Sequence, residues 1–217
     1  MHAIILAAGM GNRLGLEFPK SLLKIGGESL LSRHFVELAK HRVKNLAICV
    51  GYRSDLLREA ASHSGLVIEC IENRDFNRGS VVSLWTVRDV LTSGAQILLM
   101  DADVLCAPRI LETLIASPHA NCFLLDRDFI PGDEPVKLCV REGRLVEFRK
   151  RPEPSIPFDY CGESVGFFKF SPTTAAELAR RCETYIVAGR LDEPYEEAIR
   201  DLLIAPHPQL DFEDVSG

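Results

Sequence analysis

Short, wholly apolar segments alternate with amphipathic segments through the first half of the chain. The apolar runs AIILAA (3–8), LAICV (46–50) and ILLM (97–100) are shorter than typical helices. Strands that are apolar on both faces are typical of parallel sheets covered by helices on both sides. Parallel neighbours also need helical crossovers between them. We therefore expect an α/β fold, a three-layer sandwich around a mostly parallel, mixed central sheet.

The pattern of the sequence changes near Pro118. Before it, apolar residues at helical spacing predict helices at 30–41, 54–62 (capped by Ser54) and 80–91, with a further strand at 66–71. After it, the pattern predicts strands at 121–125, 136–141, 145–149 and 164–170 and helices at 172–188 and 193–203. Glu142-Gly143 is a hairpin turn signal between two of these strands. We expect a Rossmann-like front half whose sheet is extended by the second half.

Charge and composition exclude several classes of protein. The 217 residues include 25 Lys and Arg against 31 Asp and Glu, a net charge of −6, which argues against general nucleic-acid binding. Apolar runs fall short of the roughly 20 residues of a membrane span, and the N-terminal segment lacks the cationic start of a signal peptide. The seven cysteines form no CxxC pair. We expect a cytoplasmic protein with neither nucleic-acid nor membrane partners.

The first apolar run ends in a glycine loop, LAAGMGNRL at 6–14. Glycine lets backbone N–H groups turn towards a phosphate chain. Arg13 adds a planar cationic fork suited to phosphate oxygens, and Lys20 adds a second cation. The GxGxxG loop of a dinucleotide-binding dehydrogenase and the GxxxxGK[ST] loop of a P-loop protein are both missing. The loop therefore indicates a phosphate site of another kind.

LAAGMGNRL followed by FPKSLLKIGGESLL (18–31) resembles the signature of the nucleotidyltransferases that activate sugar phosphates and related phosphorylated alcohols. The resemblance implies that the glycine loop wraps a nucleoside triphosphate, with Arg13 and Lys20 as the catalytic cations. It also implies nucleotide contacts from Leu6, Ala7, Ala8, Gly9, Gly11, Asn12 and Asp101.

Asp101-Ala102-Asp103 ends the fourth strand, at the sheet edge where parallel folds bind ligands. The resemblance makes Asp103 the Mg²⁺ ligand and leaves a structural role open for Asp101. The family usually adds a second aspartate on a strand after its last helix, and the chain ends at 211–217, before that strand is expected. We expect the polar tail with Asp211 and Asp214 to fray, leaving Asp103 as the metal ligand.

The segment EFRKRP (147–152) resembles the EKP segment of the family, whose cation holds the phosphate of the acceptor. Lys150 and Arg151 both stand near the position of that lysine, and the sequence leaves the choice open. Glu163, with Tyr195 and the acids of 192–197, is a candidate for binding a cationic head group of the acceptor. The alternative for these acids is an ordinary helix start, where negative charge is favourable.

The segment 72–84 resembles the cytidylyltransferases that make CDP-choline-like and CDP-inositol-like compounds, including those acting on phosphonates. Asn73 or the Gly79 backbone is expected to pair with a pyrimidine edge, and Ser80 begins a helix with an electropositive N-terminus. Helix capping by Asn77 and Ser80 is the alternative interpretation.

These features together predict an enzyme that uses Mg²⁺ to transfer CMP from CTP to the phosphate or phosphonate of a small alcohol-type acceptor. Two alternatives remain open. One is a sugar-1-phosphate nucleotidyltransferase that uses UTP, dTTP or GTP, and the other is a non-catalytic nucleotide-binding regulator. We expect one domain over 1–217, with a nucleotide-binding half at 1–118 and an acceptor-binding half at 119–217.

Overall fold

The computed structural model describes residues 1–11, 15, 17–206 and 209–217. The strands are β1 (His2–Leu6), β2 (Lys24–Ile25), β3 (Glu28–Ser29), β4 (Asn45–Val50), β5 (Ile68–Glu72), β6 (Ile97–Asp101), β7 (Cys122–Asp126), β8 (Lys137–Arg141), β9 (Arg144–Arg149), β10 (Tyr160–Phe170) and β11 (Asp211–Asp214). The helices are α1 (Leu30–Lys40), α2 (Ser54–Ser62), α3 (Ser80–Thr86), α4 (Arg88–Leu91), α5 (Pro108–Ala116), α6 (Pro172–Val187) and α7 (Tyr195–Leu203).

The main sheet has the strand order β11-β7-β10-β6-β1-β4-β5. β1 pairs in parallel with β4 and β6, β4 with β5, and β7 with β11. β10 runs antiparallel to both β6 and β7, and the β8–β9 hairpin pairs with its first half. The predicted mixed, mostly parallel sheet is confirmed.

Helices cover both faces of this sheet. Residues of α3, α4, α6 and α7 pack on one face, and residues of α1, α2 and α5 pack on the other. Successive residues of β1 alternate between the two cores, because side chains of a strand point to opposite faces. The three-layer α/β sandwich is therefore confirmed as predicted.

Apart from shifts of one or two residues at the ends of α1, α6 and α7, the helix predictions differ from the structure at three points. The helix predicted over 80–91 divides at Val87 into α3 and α4. Ser54 is not the cap of α2, because Arg53 precedes the helix in a left-handed conformation (φ 47°) and makes no side-chain capping bond. α5 was not predicted, although Pro108 at its first turn is a start signal.

The prediction of a frayed C-terminal tail is wrong. Asp211–Asp214 forms β11, which pairs in parallel with β7. Asp211 lies 3.3 Å from His119, and Asp214 forms a 2.8 Å ion pair with Arg127. The open edge of β7 supplies the backbone partners that this polar segment lacks on its own.

The predicted hairpin at Glu142-Gly143 is confirmed. Both residues have positive φ, 51° and 73°, as a two-residue turn with the twist of the flanking strands requires. Among the helices that the structure describes, none is long and apolar enough to span a membrane.

Candidate active site

The glycine loop and the Asp101-Ala102-Asp103 segment leave the sheet side by side. β1 and β6 are parallel neighbours, and Leu6 stands opposite Asp101 in their register. The Ala102 N–H donates to the Leu6 carbonyl oxygen at 3.3 Å, which continues the pairing beyond the strands. Two motifs that are about 90 residues apart in sequence thus meet at one sheet edge, as parallel strand ends do.

A cavity of about 460 Å³ opens at this edge, and we call it the first cavity. Residues predicted from the sequence to bind nucleotide or metal line much of it: Leu6, Ala7, Ala8, Gly9, Gly11, Lys20, Ser80, Asp101 and Asp103. Asn12 and the predicted catalytic Arg13 lie outside the described residues.

Lys20 and Asp103 face each other in the first cavity. Lys20 Nζ lies 3.9 Å from Asp103 Oδ2, and the two side chains are 30% and 49% exposed. Gly11 has φ +62°, and a Cβ there would lie 2.7 Å from Lys20 Cγ. The positive φ favours glycine at this position, and a side chain here would collide with the aliphatic part of Lys20. Glycine therefore lets the Lys20 side chain pass close to the loop.

Asp101 is held by two elements from the second half of the chain. The Tyr195 hydroxyl on α7 donates to Asp101 Oδ2 at 2.9 Å. Gly166 on β10 has φ +80°, and a Cβ there would lie 2.5 Å from the same oxygen. Burial raises the pKa of Asp101 well above its usual range, and the negative charges of Glu196 and Asp103 raise it further. Asp101 is thereby fixed in place, whereas Asp103 faces the cavity beside Lys20.

Asn73 lies behind the first cavity rather than on its wall. The side chain is 2% exposed, its Nδ2 donates to Ser83 Oγ at 3.0 Å, and its Oδ1 accepts from the Asp75 N–H at 2.9 Å. Ser83 does line the cavity. Asn73 therefore positions Ser83, and its own polar atoms are engaged within the protein.

The N-terminus of α3 is packed against the segment before α7. The Gly79 N–H donates to Leu191 O at 2.8 Å and the Val81 N–H to Glu193 O at 3.1 Å. A Cβ at Gly79 would lie 2.2 Å from Glu193 O. Ser80 Oγ accepts from the Tyr195 N–H at 2.9 Å instead of capping its own helix. The two backbone N–H groups and the Ser80 hydroxyl thus make hydrogen bonds within the protein, and these bonds hold the start of α7 against α3.

Four further residues with polar or aromatic side chains line the first cavity and were not singled out from the sequence: Ser21, Phe76, Arg78 and Ser83. Arg78 forms a 3.0 Å ion pair with Asp192. Phe76 packs over the end of β4, where a Cβ at Gly51 would lie 2.5 Å from Phe76 Cβ. Three of the four belong to segment 72–84. The sequence of this segment as a whole resembles cytidylyltransferases, and the resemblance assigns no role to these three residues.

A second cavity of about 730 Å³ adjoins the first, and the two share Asp101 and Asp103 as lining residues. Lys150 and Glu163, both predicted to bind the acceptor, line this second cavity. Arg151 does not. Its side chain is 80% exposed and forms a 3.3 Å ion pair with Asp133. Of the two cations that the sequence left open, Lys150 is the one at the cavity.

Both halves of the chain contribute to both cavities. Tyr195 lines the first cavity, and residues of 103–110 line the second. The boundary near Pro118 therefore does not separate one cavity from the other.

The donor set at Asp103 fits a Mg²⁺ ion whose other ligands are phosphate and water oxygens. Within the described part of the chain, no group of three or more His, Cys, Asp or Glu residues could hold a metal ion. Mg²⁺ is usually bound through one or two carboxylates, with phosphate and water oxygens completing its octahedron. The half-exposed Asp103 carboxylate, beside the glycine loop, would supply one such carboxylate.

A model of the MobA-like NTP transferase domain family matches residues 3–144. The chain is 28% identical over 168 residues to CMP-5'-(3-aminopropyl)phosphonate synthase from Streptomyces rubellomurinus, covering 75% of this chain and 26% of that protein. It thus spans about a quarter of the length of this relative. It is also 25% identical over 233 residues to a UTP–glucose-1-phosphate uridylyltransferase from Haloferax volcanii, covering 100% of this chain and 89% of that protein.

Two solved structures share the fold. The inositol-1-phosphate CTP transferase of T. maritima superposes with a TM-score of 0.76 at 20% identity, covering 100% of this chain and 86% of that one. The CTP:phosphocholine cytidylyltransferase of Streptococcus pneumoniae gives a TM-score of 0.74 at 18% identity, covering 100% and 90%.

Proposed function

Since the chain belongs to the MobA-like NTP transferase domain family, we propose that it is a nucleotidyltransferase that transfers CMP from CTP to the phosphate or phosphonate of a small acceptor. One observation carries the proposal: two adjoining cavities meet at Asp101 and Asp103, beside the glycine loop and Lys20. Two substrates that exchange a nucleotidyl group need such adjacent sites. Relatives and structural neighbours named as CMP or CTP enzymes support cytidine as the nucleoside.

CTP occupies the first cavity in this proposal. Its triphosphate follows the backbone of the glycine loop from Ala8 to Gly11, with Lys20 at the phosphates. The cytosine lies towards Phe76 and Ser83, the latter oriented by Asn73. Residues 1–118 thus supply most of the nucleotide contacts, and residues 119–217 supply much of the acceptor side.

The reaction is an in-line displacement. An anionic oxygen of the acceptor attacks the α-phosphorus of CTP, a new P–O bond forms, and the bond to pyrophosphate breaks. The nucleophile is already ionised at neutral pH, so proton removal is not required. Lys20 neutralises developing charge, and Asp103 would hold the Mg²⁺ ion, which adds charge neutralisation when bound. The protein contributes position and electrostatics rather than a covalent intermediate.

A pyrophosphate-release assay with CTP, UTP, GTP and ATP tests the proposal. The acceptors are aminoalkyl phosphonates, phosphocholine, inositol 1-phosphate and glucose 1-phosphate. We expect CTP to be preferred, and CTP with Mg²⁺ to give the largest thermal shift. Preferred use of UTP with glucose 1-phosphate would instead place the protein with the uridylyltransferase relative. Nucleotide binding with no pyrophosphate release from any pair would indicate a regulator.

A further inference from the structure

The second cavity is strongly acidic. Besides the shared Asp101 and Asp103, its wall carries Asp126, Asp128, Glu134, Glu163 and Glu196, whereas its cationic side chains are Lys150 and Arg109. Both cations have partners within the protein. Lys150 lies 3.4 Å from Glu134, and the Arg109 guanidinium donates to backbone carbonyl oxygens of Val215 and Gly217. Acidic side chains therefore outnumber basic ones on the wall that an acceptor in this cavity would contact.

Glu196 carries an unsatisfied carboxylate oxygen on this wall. Its Oε2 is buried and has no hydrogen-bond partner among the residues that the structure describes. A buried, unpartnered carboxylate oxygen is costly, and a ligand that donates to it removes the cost. Burial raises the pKa of Glu196, and the hydrogen bond from its own backbone N–H and the charge of Lys150 offset this effect only in part. Glu196 lines the second cavity together with Asp101 and Asp103, at which the two cavities meet.

Glu163 adds a second incompletely compensated acid. It stands directly opposite Asp126 in the β10–β7 register. Like charges opposite each other on neighbouring strands are destabilising. Burial and the charge of Asp126 raise the pKa of Glu163, and the charge of Lys137, which stands opposite Glu163 on β8, offsets this only in part. A bound cation would relieve the repulsion at this pair as well as at Glu196.

We propose that the acceptor carries a primary ammonium group, which binds Glu196 in the second cavity within the field of Glu163 and Asp126. This inference rests on the proposed function, since it places the phosphate or phosphonate of the acceptor at the junction of the cavities, near Lys20 and Asp103. A primary ammonium has three N–H donors, and one of them satisfies Glu196 Oε2 in a charge-assisted hydrogen bond.

The lining of the second cavity favours a primary over a quaternary ammonium. Quaternary ammonium groups lack N–H donors and are bound mainly by aromatic faces. Within the described sequence, the second cavity has no Phe, Tyr or Trp on its wall. A neutral polyol would leave the acidic wall uncompensated. The acceptor class is therefore an ω-aminoalkyl phosphate or phosphonate.

Matched acceptors test the inference on the full chain. With CTP and Mg²⁺, we compare 3-aminopropylphosphonate with propylphosphonate, which lacks only the amine, and with phosphocholine. We expect kcat/KM for the aminated compound to exceed that for propylphosphonate by about tenfold to a hundredfold, the usual effect of one charge-assisted hydrogen bond. The difference should lie mainly in KM, because the ammonium is remote from the reacting atoms.

Variants identify the residue responsible. Glu196→Gln should bring the ratio of the two kcat/KM values close to one, with Glu163→Gln giving a smaller decrease. The exposed Glu183 on α6 provides the control, since Glu183→Gln is expected to leave the ratio unchanged. Circular dichroism and the unfolding temperature establish that each variant is folded. A KM for the aminated acceptor that is unaffected by both cavity variants would overturn the inference.

Two further outcomes separate this inference from the proposed function. If propylphosphonate or phosphocholine is used as well as 3-aminopropylphosphonate, the ammonium site is wrong and the cytidylyl transfer stands. If no pyrophosphate is released from CTP with any of the acceptors, the proposed function is wrong. Calorimetric titration of the two phosphonates in the presence of CTP and Mg²⁺ then decides the ammonium site, and equal affinities would refute it.

Discussion

Replacing Arg200 by Met is expected to destabilise the protein by about 3 to 5 kcal/mol. Arg200 on α7 makes a bidentate ion pair with Glu147 on β9, in which Nε donates to Oε1 at 2.5 Å and Nη2 donates to Oε2 at 2.8 Å. Glu147 is 0% exposed and also accepts the N–H groups of Phe148 and Glu153. Met keeps much of the stem volume, but it leaves a buried carboxylate without its cation. The expected loss is the cost of that uncompensated charge.

Differential scanning calorimetry measures the effect. For a chain of this length each kcal/mol corresponds to about 2 to 4 °C, so Tm should fall by about 6 to 20 °C. Arg180→Met is the matched control, because Arg180 forms an exposed pair with Glu177 on α6 and surface pairs contribute about 0 to 1 kcal/mol. A double variant, Glu147→Leu with Arg200→Met, removes both charges and should recover much of the loss. If Arg200→Met lowers Tm no more than the control, the buried pair contributes no more to stability than a surface pair does.

The pH dependence supplies an independent check on the same pair. Burial alone would raise the pKa of Glu147, but the hydrogen bonds from Arg200 and from the Phe148 N–H outweigh it and lower the pKa. A lowered folded-state pKa contributes stability that is complete above about pH 5 and is lost as the pH falls through the folded value. The difference in unfolding free energy between the native protein and Arg200→Met should therefore be largest near neutrality and shrink in acid. A constant difference in urea titrations from pH 7 to pH 4 would contradict this.

Three further variants test the site. Lys20→Ala should lower kcat by on the order of a hundredfold at unchanged Tm, because Lys20 neutralises negative charge that develops in the transition state. Near-normal turnover would show that Lys20 is not a catalytic residue. Gly166→Ala should cost about 1 to 3 kcal/mol through its positive φ and the contact with Asp101 Oδ2, and unchanged stability in urea unfolding would show that β10 adapts. Asp103→Asn should weaken Mg²⁺ binding seen by calorimetry with CTP present, while tight Mg²⁺ binding without nucleotide in that variant would place the metal elsewhere.

Much of the architecture follows from local sequence. Apolar runs without polar interruption predict buried parallel strands, and parallel strands that end together bring the glycine loop and the Asp101–Asp103 segment to one edge. The structure places Lys20 beside Asp103 at that edge, where the resemblance assigns a catalytic cation and a metal ligand. The sequence could also have indicated α5, since Ile110, Leu111 and Leu114 follow a proline start at helical spacing.

The remaining features depend on contacts between distant segments. The sequence DFED has no apolar pattern, and it becomes β11 only because β7 offers an unpaired edge. The Tyr195–Asp101 hydrogen bond joins residues 94 positions apart, and it depends on how the segment before α7 docks on α3. The choice between Lys150 and Arg151 is a matter of which neighbour faces the cavity, and spacing alone does not decide it.

The place of β10 between β6 and β7 has a consequence for how the chain acquires its fold during synthesis. β6 and β7 leave the ribosome first, yet they pair with β10 rather than with each other. At elongation rates of about 5 to 20 residues per second, β10 is synthesised several seconds after β7. The apolar residues of β7 lack this pairing partner during that time. Such non-local pairing is intrinsically slow, and an unpaired apolar strand is a template for association with other chains. We expect β7 to be the segment that holdase chaperones protect in the nascent protein. We also expect the sheet edge at Asp101, which Gly166 of β10 approaches, to form only once β10 is inserted.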